Sequence, residues 1–311
     1  MYKKDKLQLE RAVNILCENY DFKGLYHFTD FTNLEMIFET EYLRSRQECE
    51  EKNIEFLDAA DQEVIHHTDY NVKNCVRFYY KEKTPTLYRN EGIKYNNKEP
   101  HIPIPVYLLF NIELIYLDST IFSTCNAASR FAEFGNTYEF FTNMDWERIF
   151  HRDSLPLEDC PEKWDIIRKR NAELLSLEPV SLDYLNKIIF RSITDLKRAK
   201  NVFGSNSKYE INNNLFNCHN HYIIDYKIDT KRMGKSKDII VSLEFNNNTF
   251  ENYEHKYRFI NIKNGKCIKS NHVTFKDRIN LKRRGSISGL PNINLKFEYY
   301  INDVLCIEDY V

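Results

Sequence analysis

The sequence contains little glycine and none of the common nucleotide-binding or hydrolase motifs. Eight of its 311 residues are glycine, and the patterns GxGxxG, GxxxxGKS/T, GxSxG and HExxH do not occur in it. These absences argue against a glycine-rich loop that holds phosphate. If the protein binds a nucleotide, side chains and the backbone at strand ends must hold it.

The eight cysteines include no CxxC pair and follow no regular spacing. Neither a zinc site nor a disulfide framework is expected from such a distribution. Cys218-His219-Asn220-His221 has ligand-type side chains but lacks a second cluster at metal spacing, so we interpret it as a loop. We expect no metal, and scattered reduced thiols are typical of a cytosolic protein.

Long apolar runs are also missing: no stretch approaches the roughly 18 residues that a membrane-spanning helix needs. The first residues, MYKKDKLQLERAVNIL, are charged throughout and lack the apolar centre of a signal peptide. Charged residues make up 29% of the chain and hydrophobic residues 42%, which is typical of a globular protein. The sequence thus predicts a cytoplasmic protein without a membrane partner.

The formal net charge of −2 does not indicate a nucleic-acid-binding protein, but the charge is unevenly distributed. Residues 231–311 hold 15 Lys and Arg against 9 Asp and Glu, whereas residues 1–230 hold 29 against 37. Short strand-like runs separated by Asn-rich and Gly-containing turns follow residue 229. We predict two domains: residues 1–230, and a small all-β, sandwich-like domain of unknown role at 231–311.

Helical and strand-like patterns are mixed before residue 230, so the predicted fold class is α+β. Leu9, Val13 and Leu16 repeat at helical spacing within residues 5–18. Thr32-Asn33-Leu34-Glu35 is a capping-box sequence, which predicts Thr32 as the N-cap of a helix. The other predicted elements are strands at Leu25–Phe28, Cys75–Tyr80, Ile104–Phe110 and Lys187–Arg191, a possible strand extension at Ile112–Leu117, and helices at Trp164–Leu175 and Asp195–Val202.

Five stretches in chain order carry a resemblance to a known family. No single stretch is specific for that family, but the ordered set of five is. They are Leu25-Tyr26-His27-Phe28-Thr29 with Asn33-Leu34; Val76-Arg77-Phe78-Tyr79-Tyr80 with Thr84-Pro85-Thr86-Leu87-Tyr88; Phe122-Ser123-Thr124-Cys125-Asn126-Ala127-Ala128; Asp145-Trp146; and Lys169-Arg170-Asn171-Ala172-Glu173-Leu174. Over about residues 25–200, the chain resembles the DarT family of toxin ADP-ribosyltransferases, which modify bases in single-stranded DNA and consume NAD.

The resemblance implies an ADP-ribosyltransferase-like split β core with helices, and it implies Glu173 as the catalytic carboxylate. NAD cleavage between nicotinamide and ribose develops oxocarbenium character, as in glycoside chemistry, and a carboxylate beside the ribose stabilises that charge. Spacing by itself favours another interpretation, in which Glu173 is a surface residue that pairs with Lys169 one helical turn earlier.

The resemblance also implies a cofactor pocket around the first two stretches. His27 would bind a ribose hydroxyl, although without the resemblance a satisfied, partly buried histidine is the better interpretation. The residues expected to line the pocket with it are Tyr26, Phe28, Thr29, Asn33 and Tyr88. Thr29 is equally compatible with an ordinary strand residue and Asn33 with a helix start; Tyr88 either stacks on nicotinamide or is one more of 21 tyrosines.

One departure from the family concerns an arginine upstream of the Phe-Tyr strand, which is thought to help deprotonate the target base or to hold phosphate. The corresponding segment here reads Asp61-Gln62-Glu63-Val64-Ile65-His66-His67, and Arg77 replaces a family proline. Either His67, Arg77 or neither takes the role of that arginine. Histidine is the better base near neutral pH, so the replacement does not exclude transfer. Asn126 stands where the family frequently has histidine, which leaves the target base open.

The predicted acceptor is a base in a single strand, with DNA favoured and RNA possible. A base must leave its stack to be modified, and single strands make this cheap. Asn126 and Arg170 are candidates for contacting the strand, as is the basic run Lys276-Asp277-Arg278 with Lys282-Arg283-Arg284. A solvated β-hairpin turn is the equally weighted alternative for that run.

Three functions remain open from the sequence. The first is transfer of ADP-ribose to a nucleic-acid base by a toxin or anti-phage effector, with a macrodomain-type antitoxin as the implied partner. The second is a catalytically impaired NAD- or nucleic-acid-binding module on the same fold. The third is transfer to a protein side chain, which the resemblance disfavours.

Overall fold

A computed structural model describes residues 2–57, 70–94, 102–218, 220–246, 253–274 and 281–311. The chain forms two compact units, one of Met1–Asn90 with Val106–Ile188 and one of Glu91–Pro105 with Ile189–Val311. This structural division falls after Ile188 rather than near residue 230. The functional division into residues 1–230 and 231–311 stays a prediction.

The first unit combines short helices with a central β-sheet. Its helices are α1 (Lys6–Tyr20), α2 (Leu34–Thr40), α3 (Arg46–Glu51), α4 (Tyr70–Lys73), α5 (Pro85–Asn90), α6 (Tyr138–Thr142), α7 (Trp146–Ile149) and α8 (Pro161–Lys169). Its strands are β1 (Leu25–Asp30), β2 (Tyr42–Leu43), β3 (Val76–Tyr79), β4 (Pro105–Phe110), β5 (Thr120–Ser123), β6 (Phe134–Gly135), β7 (Glu173–Ser176), β8 (Val180–Ser181) and β9 (Leu185–Phe190). Phe31–Asn33, Ile112–Tyr116 and Leu182–Tyr184 form 3₁₀ helices.

Within the first unit, the central sheet follows the strand order β9-β4-β1-β3-β7-β5-β6. Every residue of β4 is buried, which explains its continuous apolar sequence. Gly24 lets β1 start beside β4, because a Cβ at this position would lie 2.4 Å from the carbonyl oxygen of Phe110. Leu9, Val13 and Leu16 are buried on one side of α1, which confirms the helical pattern predicted there.

The α+β fold class is confirmed, but three local predictions were wrong. Asp30, not Thr32, caps the helical segment, since its carboxylate accepts from the amide of Thr32. Ile112–Leu117 does not extend the strand but contains a 3₁₀ helix. The helix predicted at Trp164–Leu175 ends at Lys169 because the side chain of Asn171 bonds the carbonyl of Ile167 at 3.1 Å, and β7 begins at Glu173.

The second unit holds one helix, α9 (Ile193–Phe203), a short 3₁₀ helix at Asn213–Leu215 and mostly antiparallel β structure among its described residues. Its strands are β10 (Tyr209–Ile211), β11 (Ile223–Met233), β12 (Ser236–Phe245), β13 (Glu254–Asn261), β14 (Cys267–Thr274), β15 (Lys282–Pro291), β16 (Leu295–Ile301) and β17 (Val304–Tyr310).

Two sheets of the second unit, β11-β12-β15 and β14-β13-β16-β17, bury a common apolar core. Ile239 on β12, Phe259 on β13 and Ile307 on β17 are all inaccessible to solvent within it. The predicted sandwich-like β region is therefore confirmed. The strands β11 and β15 were not predicted, because charged residues interrupt their alternating pattern.

Neither a membrane-spanning helix nor a group of metal ligands occurs in the described ranges. Their helices include none with the length and apolar character needed to cross a bilayer. Within these same ranges, no three His, Cys, Asp or Glu side chains are grouped so as to hold a metal ion.

Candidate active site

Glu173 occupies the first position of β7, between two antiparallel neighbours. It pairs with Tyr79 of β3 on one side and with Ser123 of β5 on the other. Alternation along β3 places Arg77 on the same face of the sheet as Tyr79 and Glu173. Three of the five sequence stretches thus meet at this carboxylate.

The Glu173 carboxylate is fully buried and is bonded by a guanidinium and a backbone amide. Arg77 Nη2 donates to Oε1 at 2.7 Å and Arg77 Nε donates to Oε2 at 3.2 Å, a two-pronged ion pair. The amide of Ala127 donates to Oε2 at 2.8 Å. Glu173 has 0% of its surface exposed. Such charge-assisted bonds hold the carboxylate in a single orientation.

The Arg77 side chain remains 28% exposed, so the ion pair has a solvent-facing side. Its Nη2 also donates to Asn126 Oδ1 at 3.0 Å, and the same oxygen accepts from the amide of Ala128 at 2.9 Å. Burial acts to lower the pKa of Arg77, but the charge of Glu173 outweighs it and raises that pKa. Arg77 is therefore a permanent cation and cannot serve as a proton acceptor.

His27 is connected to this pair through the backbone of Arg77. Its Nδ1 lies 3.0 Å from the carbonyl oxygen of Arg77. Burial, together with the charge of Arg77, lowers the pKa of His27, so the imidazole is neutral near pH 7. A carbonyl can only accept a hydrogen bond, so Nδ1 carries the proton and Nε2 is left as an acceptor. The half-buried imidazole thus offers an acceptor suited to a hydroxyl group.

Aromatic rings surround Tyr79 on the same side of β1 and β3. Phe28 stacks on Tyr79 with centroids 5.1 Å apart, and Tyr26 and Phe28 both contact Tyr107 edge-on. Burial first, and then the charge of Glu173, raises the pKa of the Tyr79 hydroxyl, which stays protonated. Tyr26 is 6% exposed, so its ring belongs to the core around the site.

Thr29 and Asn33 form a clamp rather than an open surface. Asn33 Nδ2 donates to Thr29 Oγ1 at 2.9 Å and to the carbonyl of Leu57 at 3.0 Å, and Asn33 Oδ1 accepts from the amide of Leu57 at 2.7 Å. The clamp explains why the first stretch contains a threonine and an asparagine four positions apart. Whether these residues also line a cofactor pocket stays a prediction.

The second and the last stretch are joined by Asn171. Its Oδ1 accepts from the hydroxyl of Thr86 at 3.0 Å and from the Thr86 amide at 3.3 Å. Tyr88 follows on α5 and is 60% exposed. In the Asp-Trp stretch, the ring of Trp146 lies edge-on to that of Tyr80, with centroids 5.0 Å apart. All five stretches therefore converge in the first unit.

Several predicted residues lie elsewhere. His67, Lys276 and Arg278 lie outside the described residues. Lys282, Arg283 and Arg284 belong to the second unit and begin β15, so their interpretation as a hairpin turn was wrong. The interpretation of Glu173 as a helix-surface partner of Lys169 was also wrong, because Glu173 is a buried strand residue.

The sequence did not identify the amide of Ala127, the hydroxyl of Tyr79 or the amide of Asn171 as parts of the site. Backbone amides leave no trace in residue type, so an alanine at position 127 does not by itself indicate a donor. Ala127, Tyr79 and Asn171 do lie inside the quoted stretches, each close to Asn126, Arg77 or Glu173 in sequence. Their position there is the one signal that pointed to them.

Comparison with known proteins identifies a family for this chain. The family model described as "DarT: ssDNA thymidine ADP-ribosyltransferase" matches residues 26–217. Structures of Thermus sp. 2.9 DarT with ADP-ribosylated ssDNA and with NAD+ each align over 62% of this chain and 95% and 96% of theirs, at 16% identity and TM-scores of 0.48 and 0.47. No curated protein matches the chain.

Thermosipho africanus DarTG in complex with ADP-ribose has the same fold in part: the alignment covers 63% of this chain and 51% of that one, at 17% identity and a TM-score of 0.50. The family model assigns the chain to the class of ADP-ribosyltransferases, which consume NAD. Within this class, the chain belongs to the DarT family, since the family model spans more than half of its length.

Proposed function

We propose that this protein transfers ADP-ribose from NAD to a thymidine base in single-stranded DNA. The family match supports the substrate class, and the buried Arg77–Glu173 pair is the observation that supports the chemistry. NAD is consumed as a substrate, so its ADP-ribose ends on the DNA and nicotinamide is released.

The proposed reaction exchanges one bond at the ribose C1′ and transfers one proton from the base to a proton acceptor. The bond between the ribose C1′ and nicotinamide breaks, and nicotinamide leaves as a neutral molecule with the bonding electrons. A ring nitrogen of the base attacks C1′ and loses its proton. Glu173 stabilises the positive charge on the ribose in the transition state, as a carboxylate does in glycoside chemistry.

Glu173 has no exposed surface, so a ribose hydroxyl must replace one of its present bonds. The bonds from Arg77 are the candidates, because Arg77 is the partner with a solvent-exposed side. We propose that the ribose 2′-hydroxyl takes over one of these bonds while Arg77 stays close enough to keep Glu173 ionised. His27 Nε2 accepts from another ribose hydroxyl.

The remaining site assignments stay proposals. Phe28, Thr29, Asn33 and Tyr88 line the cofactor pocket with Tyr26, and Asn126 contacts the strand beside Arg77. His67 is the candidate for accepting the base proton, since the raised pKa of Arg77 excludes that residue as a base. On the second unit, Lys282, Arg283 and Arg284 contact phosphates.

The biological role that follows is that of a cytoplasmic toxin or anti-phage effector. Modified DNA bases block copying of the strand, so the cell needs a way to remove them. We therefore propose a macrodomain-type antitoxin as partner. RNA is the second acceptor to test, because no described side chain is assigned to recognition of the 2′-hydroxyl that separates it from DNA.

Labelled NAD incubated with separate pools of single-stranded DNA, RNA and protein tests the proposal. Wild-type protein should label DNA, and Glu173→Gln should not. Glu178→Gln is the matched control, because Glu178 is exposed and lies just beyond β7. Label in the protein pool but in neither nucleic acid would contradict the proposal.

The full burial of Glu173 favours one other candidate, a catalytically impaired module that binds NAD or nucleic acid. Wild-type protein that binds both ligands but leaves every pool unlabelled would establish that alternative.

A further inference from the structure

A second group of charged side chains lies beside the candidate active site. Lys81 shortly follows the end of β3, and Arg170 shortly precedes the start of β7. Because Tyr79 at the end of β3 pairs with Glu173 at the start of β7, both side chains belong to the same end of the sheet as the carboxylate. With Arg152, they form what we call the basic cluster (Lys81, Arg152 and Arg170).

Contacts with backbone carbonyls hold the basic cluster together. Lys81 is 3% exposed, and its Nζ donates to the carbonyl oxygen of His151, next to Arg152, at 2.8 Å. Arg170 Nη2 donates weakly, at 3.4 Å, to the carbonyl of Lys83. The Nε of Arg170 is buried and has no hydrogen-bond partner within the described part of the chain. The Arg170 guanidinium thus has a donor that no protein group in the described ranges uses.

The basic cluster carries more positive charge than its surroundings neutralise. The charges that act on Lys81 are those of Arg170, Glu82 and Arg152, two cations and one carboxylate. Glu82 Oε1 lies 3.5 Å from Nη2 of Arg152, whose side chain is 54% exposed. Burial, followed by the charge of Arg170, lowers the pKa of Lys81 to about 8. Burial also lowers the pKa of Arg170. An anion at this position would relieve the repulsion that Arg170 and Arg152 exert on Lys81.

We propose that the basic cluster binds a phosphate of the DNA strand next to the nucleotide that is modified. This inference rests on the proposed function, since it assumes that DNA is the acceptor. Two guanidinium groups present planar donors that match a phosphate, and the lysine adds a compact charge. Binding a flanking phosphate beside Glu173 would place the neighbouring base at the ribose of NAD.

The variant Arg152→Gln/Arg170→Gln tests the proposal. Fluorescence anisotropy of a labelled thymidine-containing oligonucleotide measures affinity at several salt concentrations, without NAD. We expect roughly tenfold weaker binding, and a salt dependence that becomes shallower by about 0.7 in log–log slope for each phosphate that the variant no longer neutralises. The Michaelis constant for the oligonucleotide should rise by a similar factor, and that for NAD should not.

Arg148→Gln is the matched control, because Arg148 is a half-exposed arginine of the same unit that already pairs with Asp145 and Asp165. This variant should keep the wild-type salt slope. Arg170→Lys should restore part of the affinity, because it keeps the charge but not the planar donors. Thermal unfolding verifies that each protein is folded, and Arg152→Gln replaces the double variant should the latter unfold.

Two results would overturn the proposal. One is a folded variant with unchanged affinity and salt slope. The other is a raised Michaelis constant for NAD with unchanged DNA binding, which would assign the basic cluster to the diphosphate of NAD. A wild-type protein that binds the oligonucleotide but transfers nothing to it would contradict the proposed function instead, and the salt slopes would still decide what the cluster binds.

Discussion

The candidate active site of the first unit and a cleft on the second unit place cations in opposite environments. In the first, Arg77 pairs with a carboxylate that has no exposed surface, and Lys81 is 3% exposed. In the second, Lys227, Lys282, Arg283 and Arg284 line a cleft of about 320 Å³ on the sheet β11-β12-β15, together with Asp225 and Glu244. The same residue types are thus desolvated beside the candidate active site and mostly hydrated in the cleft.

This difference decides how much each charge contributes. The Lys282–Glu244 pair is 3.6 Å long and its lysine is 77% exposed, so water and salt screen it. The Arg77–Glu173 pair has no such screening around the carboxylate, and losing one partner leaves a buried charge. We therefore expect substitutions in the first unit to have large effects and those in the cleft to have small ones.

The largest effect is expected for Glu173→Gln. Transfer of ADP-ribose to DNA should fall by at least about 100- to 1000-fold, the range seen when one electrostatic group that stabilises a transition state is removed. Single-turnover assays with labelled NAD measure the rate of the chemical step. Activity within threefold of wild type would show that Glu173 is not part of the mechanism. It would also contradict the expectation that substitutions at the candidate site have larger effects than those in the cleft.

Arg77→Met should destabilise the fold by about 3 kcal/mol, because Glu173 is then buried without its counter-ion. Denaturant unfolding measures this change. In the variant Arg77→Met/Glu173→Gln the cost should be smaller, since no unpaired charge remains. Equal losses of unfolding free energy in Arg77→Met and in the double variant would show that Arg77 and Glu173 do not stabilise the fold as a pair.

Binding of DNA should weaken between pH 7 and pH 9 through Lys81. Burial lowers the pKa of Lys81 to about 8, so the charge present at pH 7 is lost as the pH rises through that value. The charged groups that act on Lys81 are Arg170, Glu82 and Arg152. We expect a loss of affinity of up to about tenfold, equivalent to about 1.4 kcal/mol.

Lys81→Gln should remove most of this pH dependence in anisotropy titrations. Burial also lowers the pKa of Lys3 to about 8. Lys3, however, donates to the carbonyl of Ile115 and to the hydroxyl of Thr120, and it is not part of the basic cluster. The variant Lys81→Gln therefore distinguishes the titration of Lys81 from that of Lys3. A pH profile that keeps its wild-type shape in Lys81→Gln would contradict the role of Lys81.

The smallest effect is expected for Lys282→Gln/Arg284→Gln in the cleft. Stability should change by less than about 0.5 kcal/mol, as is usual for exposed positions. If these side chains contact phosphates, the salt dependence of DNA binding should become shallower, by less than in the basic-cluster variant because Asp225 and Glu244 offset part of their charge. An unchanged slope would exclude the cleft from DNA binding.

Much of this site could be predicted from residue order. Glu173, Arg77, His27 and Asn126 all lie in the quoted stretches, and the structure brings Arg77, Glu173 and Asn126 into direct contact. The strand nature of Glu173 could not be predicted, because Glu173-Leu174-Leu175-Ser176 is short and fully buried, so its pattern matches a helix equally well. The proximity of Lys81 to Arg152 and Arg170 could not be predicted either, since these residues are distant in sequence.

The sequence by itself determined the family, the α+β class and the candidate carboxylate, because these depend on residue types in a set order. Tertiary structure decided that the Glu173 carboxylate is buried, that Arg77 is its counter-ion and that His27 presents Nε2 as an acceptor. These features depend on strand pairing, which joins residues that lie about 50 to 100 positions apart along the chain. Local sequence patterns carry no information over such a separation.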